Sequence, residues 1–306
     1  MKILLFLLPI IIFSCASPKP SEREFPDSLI RSKYIEAITR LKSNHLENGW
    51  VVSRKITGEP EHMGEGLLWS GLWIATAPCG EASETSIVLR DMVLRHKGGL
   101  VRYEPLGEYE GGREITLDGA IGLYRGIAEE VMRCGNKGDW YEPTLAHLNY
   151  VVQHSGKLNE KAKAELIREF TYVLDLIAYK LSIRGEPSTD RLRMLEAQVT
   201  SWVAGTVSSK SSAYRVHLGF VVLETVELLG KKVNWGPFCL ASNGVDIPLI
   251  DHKCGRGDLK GWIDAFKFNE WEYRHQRSGK WEQPDGDGDE TPGLDLITAI
   301  RAAYDI

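Results

Sequence analysis

Apolar residues recur at helical spacing along most of the chain. Between Ser28 and Lys42 they fall at Leu29, Ile30, Tyr34, Ile35, Ile38 and Leu41, which predicts an amphipathic helix. Gly66 to Ala77 is apolar nearly all round, with Leu67, Leu68, Trp69, Leu72, Trp73 and Ile74, the pattern of a helix buried on every side. Ser83 to His96 predicts a helix stopped by Gly98-Gly99. The clearest helix is Leu117 to Cys134, with Thr116 as its cap and Gly135 as its end. Trp140 to Gln153 carries a weaker pattern, Glu160 to Ile183 and Tyr214 to Leu229 strong ones, and Asp190 to Ala204 and Leu294 to Tyr304 complete the series. Only Gly99 to Tyr103 has strand character, as half of a small hairpin. Nine or ten helices without alternating strand patterns predict an all-α fold, a helical-hairpin array with irregular loops carrying a small β-hairpin.

The N-terminus follows different rules. Met1-Lys2 is followed by an apolar run from Ile3 to Phe13 and then by Ser14-Cys15-Ala16-Ser17. One positive charge, an apolar segment of about eleven residues and a small residue are the parts of a secretory signal, and the segment is short of the roughly 20 apolar residues a bilayer span needs. Ile12-Phe13-Ser14-Cys15 resembles the lipobox of bacterial lipoproteins. The resemblance implies acylation of Cys15, which then becomes the mature N-terminus, held on a lipid bilayer. A plain signal peptide with an incidental cysteine is the alternative. Ala16 in place of an Asp after the cysteine implies the outer rather than the inner membrane. The domains expected are therefore a signal peptide over 1–14, a lipidated and Pro-rich flexible tether over 15–26, and a single all-α domain over 27–306.

Cysteine usage agrees with export. Setting Cys15 aside for lipid, Cys79, Cys134, Cys239 and Cys254 remain, an even set for an oxidising compartment. Three pairings are open; Cys239–Cys254, which closes a Gly-, Pro- and Asp-rich loop, with Cys79–Cys134, which joins two helix ends, is preferred. Zinc is the competing use, but no C-x-x-C or H-x-x-x-H spacing is present. A net charge of −5 without a long Lys/Arg run argues against nucleic acid as a partner. Nine tryptophans supply core bulk and also the stacking surfaces that sugars use.

Three helix starts carry a further resemblance. Gly64-Glu65-Gly66-Leu67-Leu68-Trp69-Ser70-Gly71-Leu72 resembles an acidic-x-x-x-Trp-x-Gly-Leu start, Ile115-Thr116-Leu117-Asp118-Gly119 resembles a Ser-Arg-Asp-Gln start, and Tyr214-Arg215-Val216-His217-Leu218 resembles a Tyr-x-x-His-Leu helix. All three are similar to segments of (α/α) toroid proteins of the six-hairpin glycosidase and polysaccharide lyase class. That implies a toroid, here an incomplete one because the domain is small, with a carbohydrate or cell-wall glycan bound in a cleft at one end. Thr116 and Leu117 depart from the usual Ser-Arg, which weakens the carry-over to Asp118.

Glu65 and Asp118 are the candidate acid/base pair, since two carboxyl groups flanking one bond satisfy the logic of glycoside hydrolysis. A first-turn carboxylate also complements the helix dipole, without any chemistry. His217 is a third catalytic candidate, against a role as a hydrogen-bonded core residue. Trp69, Arg113, Tyr214, Trp271 and Arg274 are candidate substrate contacts, the aromatics by stacking and the arginines by holding acidic groups. No cofactor is required. Asp285, Asp287 and Asp289 alternate with glycines as the first ligands of a calcium loop do, but Glu290 and Leu296 stand where an EF-hand needs Gly and Glu. A solvated acidic turn is the competing reading. The absence of G-x-S-x-G, H-E-x-x-H and phosphate-loop motifs lowers the weight of serine hydrolases, zinc proteases and nucleotide enzymes. Against glycan binding stands a non-catalytic surface lipoprotein that uses the same helices for protein–protein contacts.

Overall fold

The computed structural model describes residues 25–55, 60–61, 66–102, 117–154, 164–209, 213–245, 247–266, 274–275, 281–282, 289–290 and 294–304. Over these the chain is all-α with small antiparallel strand pairs. Helix α1 (Ser28–Arg40) is capped by the Asp27 carboxylate, which accepts from the Ile30 N–H at 2.8 Å, and passes into a π-helical turn at Leu41–His45. Strands β1 (Leu46–Glu47) and β2 (Trp50–Val51) form a hairpin, followed by β3 (Ser53–Lys55) and β4 (Pro60–Glu61). Then come α2 (Gly66–Thr76), α3 (Ser83–Arg95), α4 (Leu117–Met132), α5 (Lys137–His154), α6 (Ala164–Lys180), α7 (Thr189–Ser208) and α8 (Ala213–Leu228). Three short helices follow, α9 (Trp235–Ala241), α10 (Pro248–Lys253) and α11 (Leu259–Ala265). Strands β5 (Arg274–His275), β6 (Trp281–Glu282) and β7 (Asp289–Glu290) precede the last helix, α12 (Leu294–Tyr304).

The strand expected at Gly99–Tyr103 does not form at its described residues, 99–102. Leu100 and Val101 are buried in irregular backbone instead, as part of the core. The first hairpin turns on Asn48-Gly49, both at positive φ (50° and 79°), the geometry of a two-residue hairpin loop. The Val51 N–H donates to the Ser70 hydroxyl at 2.8 Å, which fastens that hairpin to α2.

Helix α2 is buried at every position and lies against α4 with almost no space between the backbones. A Cβ on Gly71 would sit 2.2 Å from the Gly122 carbonyl carbon, and one on Gly122 would sit 2.5 Å from the Leu68 carbonyl oxygen. Gly126 meets Gly71 one turn further on, so the two helices run parallel. Helix α8 runs the same way, with Tyr214 near its start against Asp118 near the start of α4. Lys180 at the end of α6 lies beside Gly230, just past the end of α8. Arg301 near the end of α12 donates to the Ala75 carbonyl near the end of α2, at 2.7 Å. Helices α2, α4, α6, α8 and α12 therefore form a parallel inner set, and α12, the last of them, packs against α2, the first. The short connections after α2, α4 and α6 send α3, α5 and α7 back around the outside. This array has a starting end, where the inner helices begin, and a closing end, where they stop.

The closing end is held covalently and by charge. Cys79 pairs with Cys134 just beyond the ends of α2 and α4, and Cys239 pairs with Cys254 across the short helices α9 and α10. Glu129, 1% exposed, accepts from Arg301 at 2.6 Å, from Arg133 at 3.2 Å and from Arg125 at 3.3 Å. Burial opposes its charge, yet the three guanidinium groups together hold its carboxyl below the ordinary value.

Candidate functional site

The starting end gathers the chemistry. Asp118 occupies the first turn of α4, where the free N–H groups and the helix dipole favour an acceptor. It is half-buried, and the Tyr214 hydroxyl donates to its Oδ2 at 3.0 Å. Burial raises the Asp118 carboxyl above its ordinary value, against the opposing pull of the Tyr214 hydrogen bond and of the Arg102 and Arg215 charges. A carboxyl group moved this way keeps its proton to higher pH than an exposed one, which is the direction a general acid needs.

The neighbours follow from the helix register. Arg215 is next to Tyr214 on α8 and is exposed. The Arg102 carbonyl accepts from the Leu67 N–H at 2.7 Å, which fixes Arg102 at the first turn of α2. Its side chain is exposed as well. His217 lies about one turn deeper than Tyr214 on α8. It is buried, and burial lowers its pKa to about 4, so it is neutral at pH 7 and enters any chemistry as an uncharged imidazole. Trp69 is 8% exposed, and its indole N–H has no hydrogen-bond partner among the described residues.

Tyr214 and Asp118, singled out separately in the sequence, thus meet in the fold. Glu65, Arg113, Trp271, Asp285 and Asp287 lie outside the described residues, as does Cys15. Arg274 stands on β5 in register with Glu282. Asp289 stands on β7, where it pairs in register with Lys55 of β3, and Glu290 pairs with Arg54. Among the described residues no three His, Cys, Asp or Glu side chains are grouped as a metal site. Trp50, Trp73 and Trp140 are fully buried and serve the core rather than a binding surface.

Two residues of the cluster were not among the sequence candidates, Arg102 and Arg215. Arg215 follows Tyr214 directly, and its position on the exposed side of an otherwise apolar helix start was the available signal. The signal for Arg102 was its place at the head of a segment dense in charged and aromatic residues, 102–114, of the kind in which binding sites tend to sit, although its position beside α2 depends on a backbone hydrogen bond. A second buried polar group lies away from this end. Tyr124 and His147 share a 2.8 Å hydrogen bond, and His147 Nδ1 is 2.6 Å from the Gly98 carbonyl. Both rings are buried, and this group joins α4 and α5 to the turn after α3 as structure.

No family model matches the chain, and no curated protein or solved structure matches it either. The reading of its function therefore rests on its own residues. No helix among those described is long and apolar enough to cross a membrane.

Proposed function

We propose that this chain is a lipid-anchored protein of the bacterial cell envelope that binds a carbohydrate or cell-wall glycan at the starting end of its inner helices and cleaves it there. The observation that carries the reading is the Asp118–Tyr214 pair, a half-buried carboxyl group with a raised pKa beside a phenol. Asp118 is the proton donor to the glycosidic oxygen in this scheme. Tyr214 orients it and supplies aromatic surface to a sugar ring, whereas Trp69, buried at 8% exposure, belongs to the core. Glu65, which directly precedes α2, is the second carboxyl group such a reaction uses. Acylated Cys15 anchors the chain to the bilayer, the outer membrane where the cell has one.

The test is incubation of the purified protein with a panel of polysaccharides and peptidoglycan, comparing wild type with Asp118→Asn. Binding retained with turnover lost in the variant supports the cleavage role. Binding without turnover in either protein reduces the activity to recognition. No binding across the panel overturns the glycan reading in favour of a protein-contact module.

A further inference from the structure

The large apolar side chains left in water gather toward one end of the array. Leu240 on α9 is 79% exposed, Leu29 in the first turn of α1 55%, and Met132, the last residue of α4, 36%. All three stand at the closing end. Met132 lies two residues before Cys134, which is bonded to Cys79. Leu29 follows Asp27, whose charge reaches Tyr304 at the end of α12. Helix α9 is held there by Glu227, near the end of α8, which accepts from the Trp235 indole N–H at 3.3 Å and pairs with Lys253 of α10 at 2.5 Å. Toward the starting end, Leu94 and Val152 in the last turns of α3 and α5 are the exposed large apolar residues among those described. The outward positions are built in. Phe238 is fully buried and Cys239 is bonded to Cys254, so α9 has no freedom to turn Leu240 inward. The Asp27 cap sets the register of α1, and with Ile30, Tyr34 and Ala37 in the core, Leu29 faces outward.

We propose that the closing end lies directly on the lipid bilayer, with Leu29, Met132 and Leu240 immersed among the headgroups. The inference rests on the membrane-anchor reading above and adds a protein–lipid contact to it. What selects a bilayer as the occupant is the place where the chain enters the domain. Residues 1–24, with the apolar run 3–13 and Cys15, precede Phe25 and α1 and so join the domain at this same end. An anchor attached there holds the face at high local lipid concentration, so contacts too weak to retain a protein alone still form. The three apolar side chains then exchange water for the acyl boundary. Trp235, half-buried beneath the Lys253 ammonium, is an amphipathic ring of the kind that suits this depth. Asp27, Asp258 and Asp264 are exposed at the same end beside Lys260, so the contact is apolar in origin and does not depend on anionic lipid.

The test uses the full chain, expressed with export, purified in detergent and reconstituted in phosphatidylcholine vesicles. An environment-sensitive dye is placed by non-natural amino acid at position 29, 132, 240, 94 or 152. The expected result is a blue shift at 29, 132 and 240 on vesicles, with quenching by bromine-labelled lipid, while 94 and 152 keep their aqueous emission. High salt leaves the shift in place, since screening weakens charge attraction and not apolar contact. Leu29→Ser combined with Leu240→Ser changes only exposed side chains, so the variant is expected to fold, which circular dichroism verifies. It should reduce the shift of the dye at position 132. Equal emission from all five positions on vesicle-bound protein overturns the contact and leaves the anchor in place. A shift at 29 and 240 already present without vesicles assigns the face to a second copy of the chain and overturns the bilayer as its occupant. A shift abolished by high salt overturns apolar immersion. Failure of the wild type to float with vesicles overturns the contact and the anchor together.

Discussion

The Tyr214 hydroxyl donates to Asp118 Oδ2 across 3.0 Å, although 96 residues separate the two in the chain. Burial raises the Asp118 carboxyl above 3.8, so the folded protein keeps this proton to higher pH than the unfolded chain does. The stability that Asp118 contributes is therefore full below that ordinary value and is lost as pH rises through the raised one. Asp118→Asn keeps an acceptor for Tyr214 and carries no charge, so it should be neutral or stabilising at pH 7. Urea unfolding across pH 4–8 checks this; a loss of more than about 1 kcal/mol at pH 7 would mean that the fold needs the ionised carboxylate. Tyr214→Phe removes a hydrogen bond that lowers the Asp118 value, and carboxyl-carbon NMR should find it raised further.

The contact between α2 and α4 predicts a sharp contrast among glycines. Gly71→Ala drives a methyl group to 2.2 Å from backbone atoms of Gly122, which no side-chain rotation relieves. Overpacking usually costs about 1–3 kcal/mol, and this site belongs at or above the upper end. Gly205→Ala in α7 meets nothing within 4 Å. It should instead stabilise by roughly 0.5–1 kcal/mol, through the lower backbone freedom of alanine. Equal melting temperatures for the two variants would refute the close parallel packing.

Much of this architecture was legible because long helices repeat their apolar pattern over several turns. The all-round apolar character of Gly66–Ala77 identified the most buried helix before its neighbours were known. Helices α9, α10 and α11 escaped because six or seven residues hold too few turns to show a period, and their Gly- and Pro-rich surroundings read as loop. Leu100-Val101 looked like a strand because burial alone selects the same residues that a strand uses. The hairpin of β1 and β2 has its signal in Asn48-Gly49, a turn dipeptide between strands too short to show an alternating pattern. Helix periodicity placed Asp118 and Tyr214 at helix starts but carried no information about which starts would face each other. That depended on the glycines that bring α2 and α4 together and on the packing of α8 against α4.

Glu129 should behave oppositely to Asp118 in pH. Its folded value lies below the ordinary 4.5, so its contribution is present above that value and is lost as pH falls through the folded one. Glu129→Gln leaves Arg125, Arg133 and Arg301 without the carboxylate that all three share. Removing one partner from a buried ion pair costs about 3–5 kcal/mol. Chemical denaturation at pH 7 should find a loss of that order, shrinking in acid as the wild-type carboxyl protonates. A loss that is independent of pH would assign the residue a packing role instead.

The Cys79–Cys134 bridge spans 55 residues and ties the ends of α2 and α4, whereas Cys239–Cys254 spans 15. In the chain-entropy model the longer loop is worth about 4 kcal/mol and the shorter about 3. Replacing both cysteines of the first pair with alanine should therefore lower the melting temperature more than replacing those of the second. The reverse order would show that the short helices α9 and α10 depend on their bridge for local structure.

Helix α1 starts at the closing end of the array, away from Asp118, and under the proposed acylation of Cys15 this orients the protein on a membrane. Phe25 packs on Tyr34 with ring centroids 5.2 Å apart, and Asp27 lies close enough to Tyr304 for its charge to act on the phenol. The chain therefore enters α1 at the closing end, where α12 stops. About twelve residues, the length of the proposed tether, span on average roughly 20 Å when they form a flexible coil. Helix α4, with 16 residues, is about 24 Å long. A bilayer holding acylated Cys15 should accordingly be nearer to the closing end than to Asp118. Energy transfer from a lipid-phase acceptor to a dye placed by non-natural amino acid at position 133 should exceed that from position 215 in proteoliposomes. Equal transfer from the two positions would remove the orientation, while Cys15→Ser protein that still floats with the vesicles would remove the anchor itself.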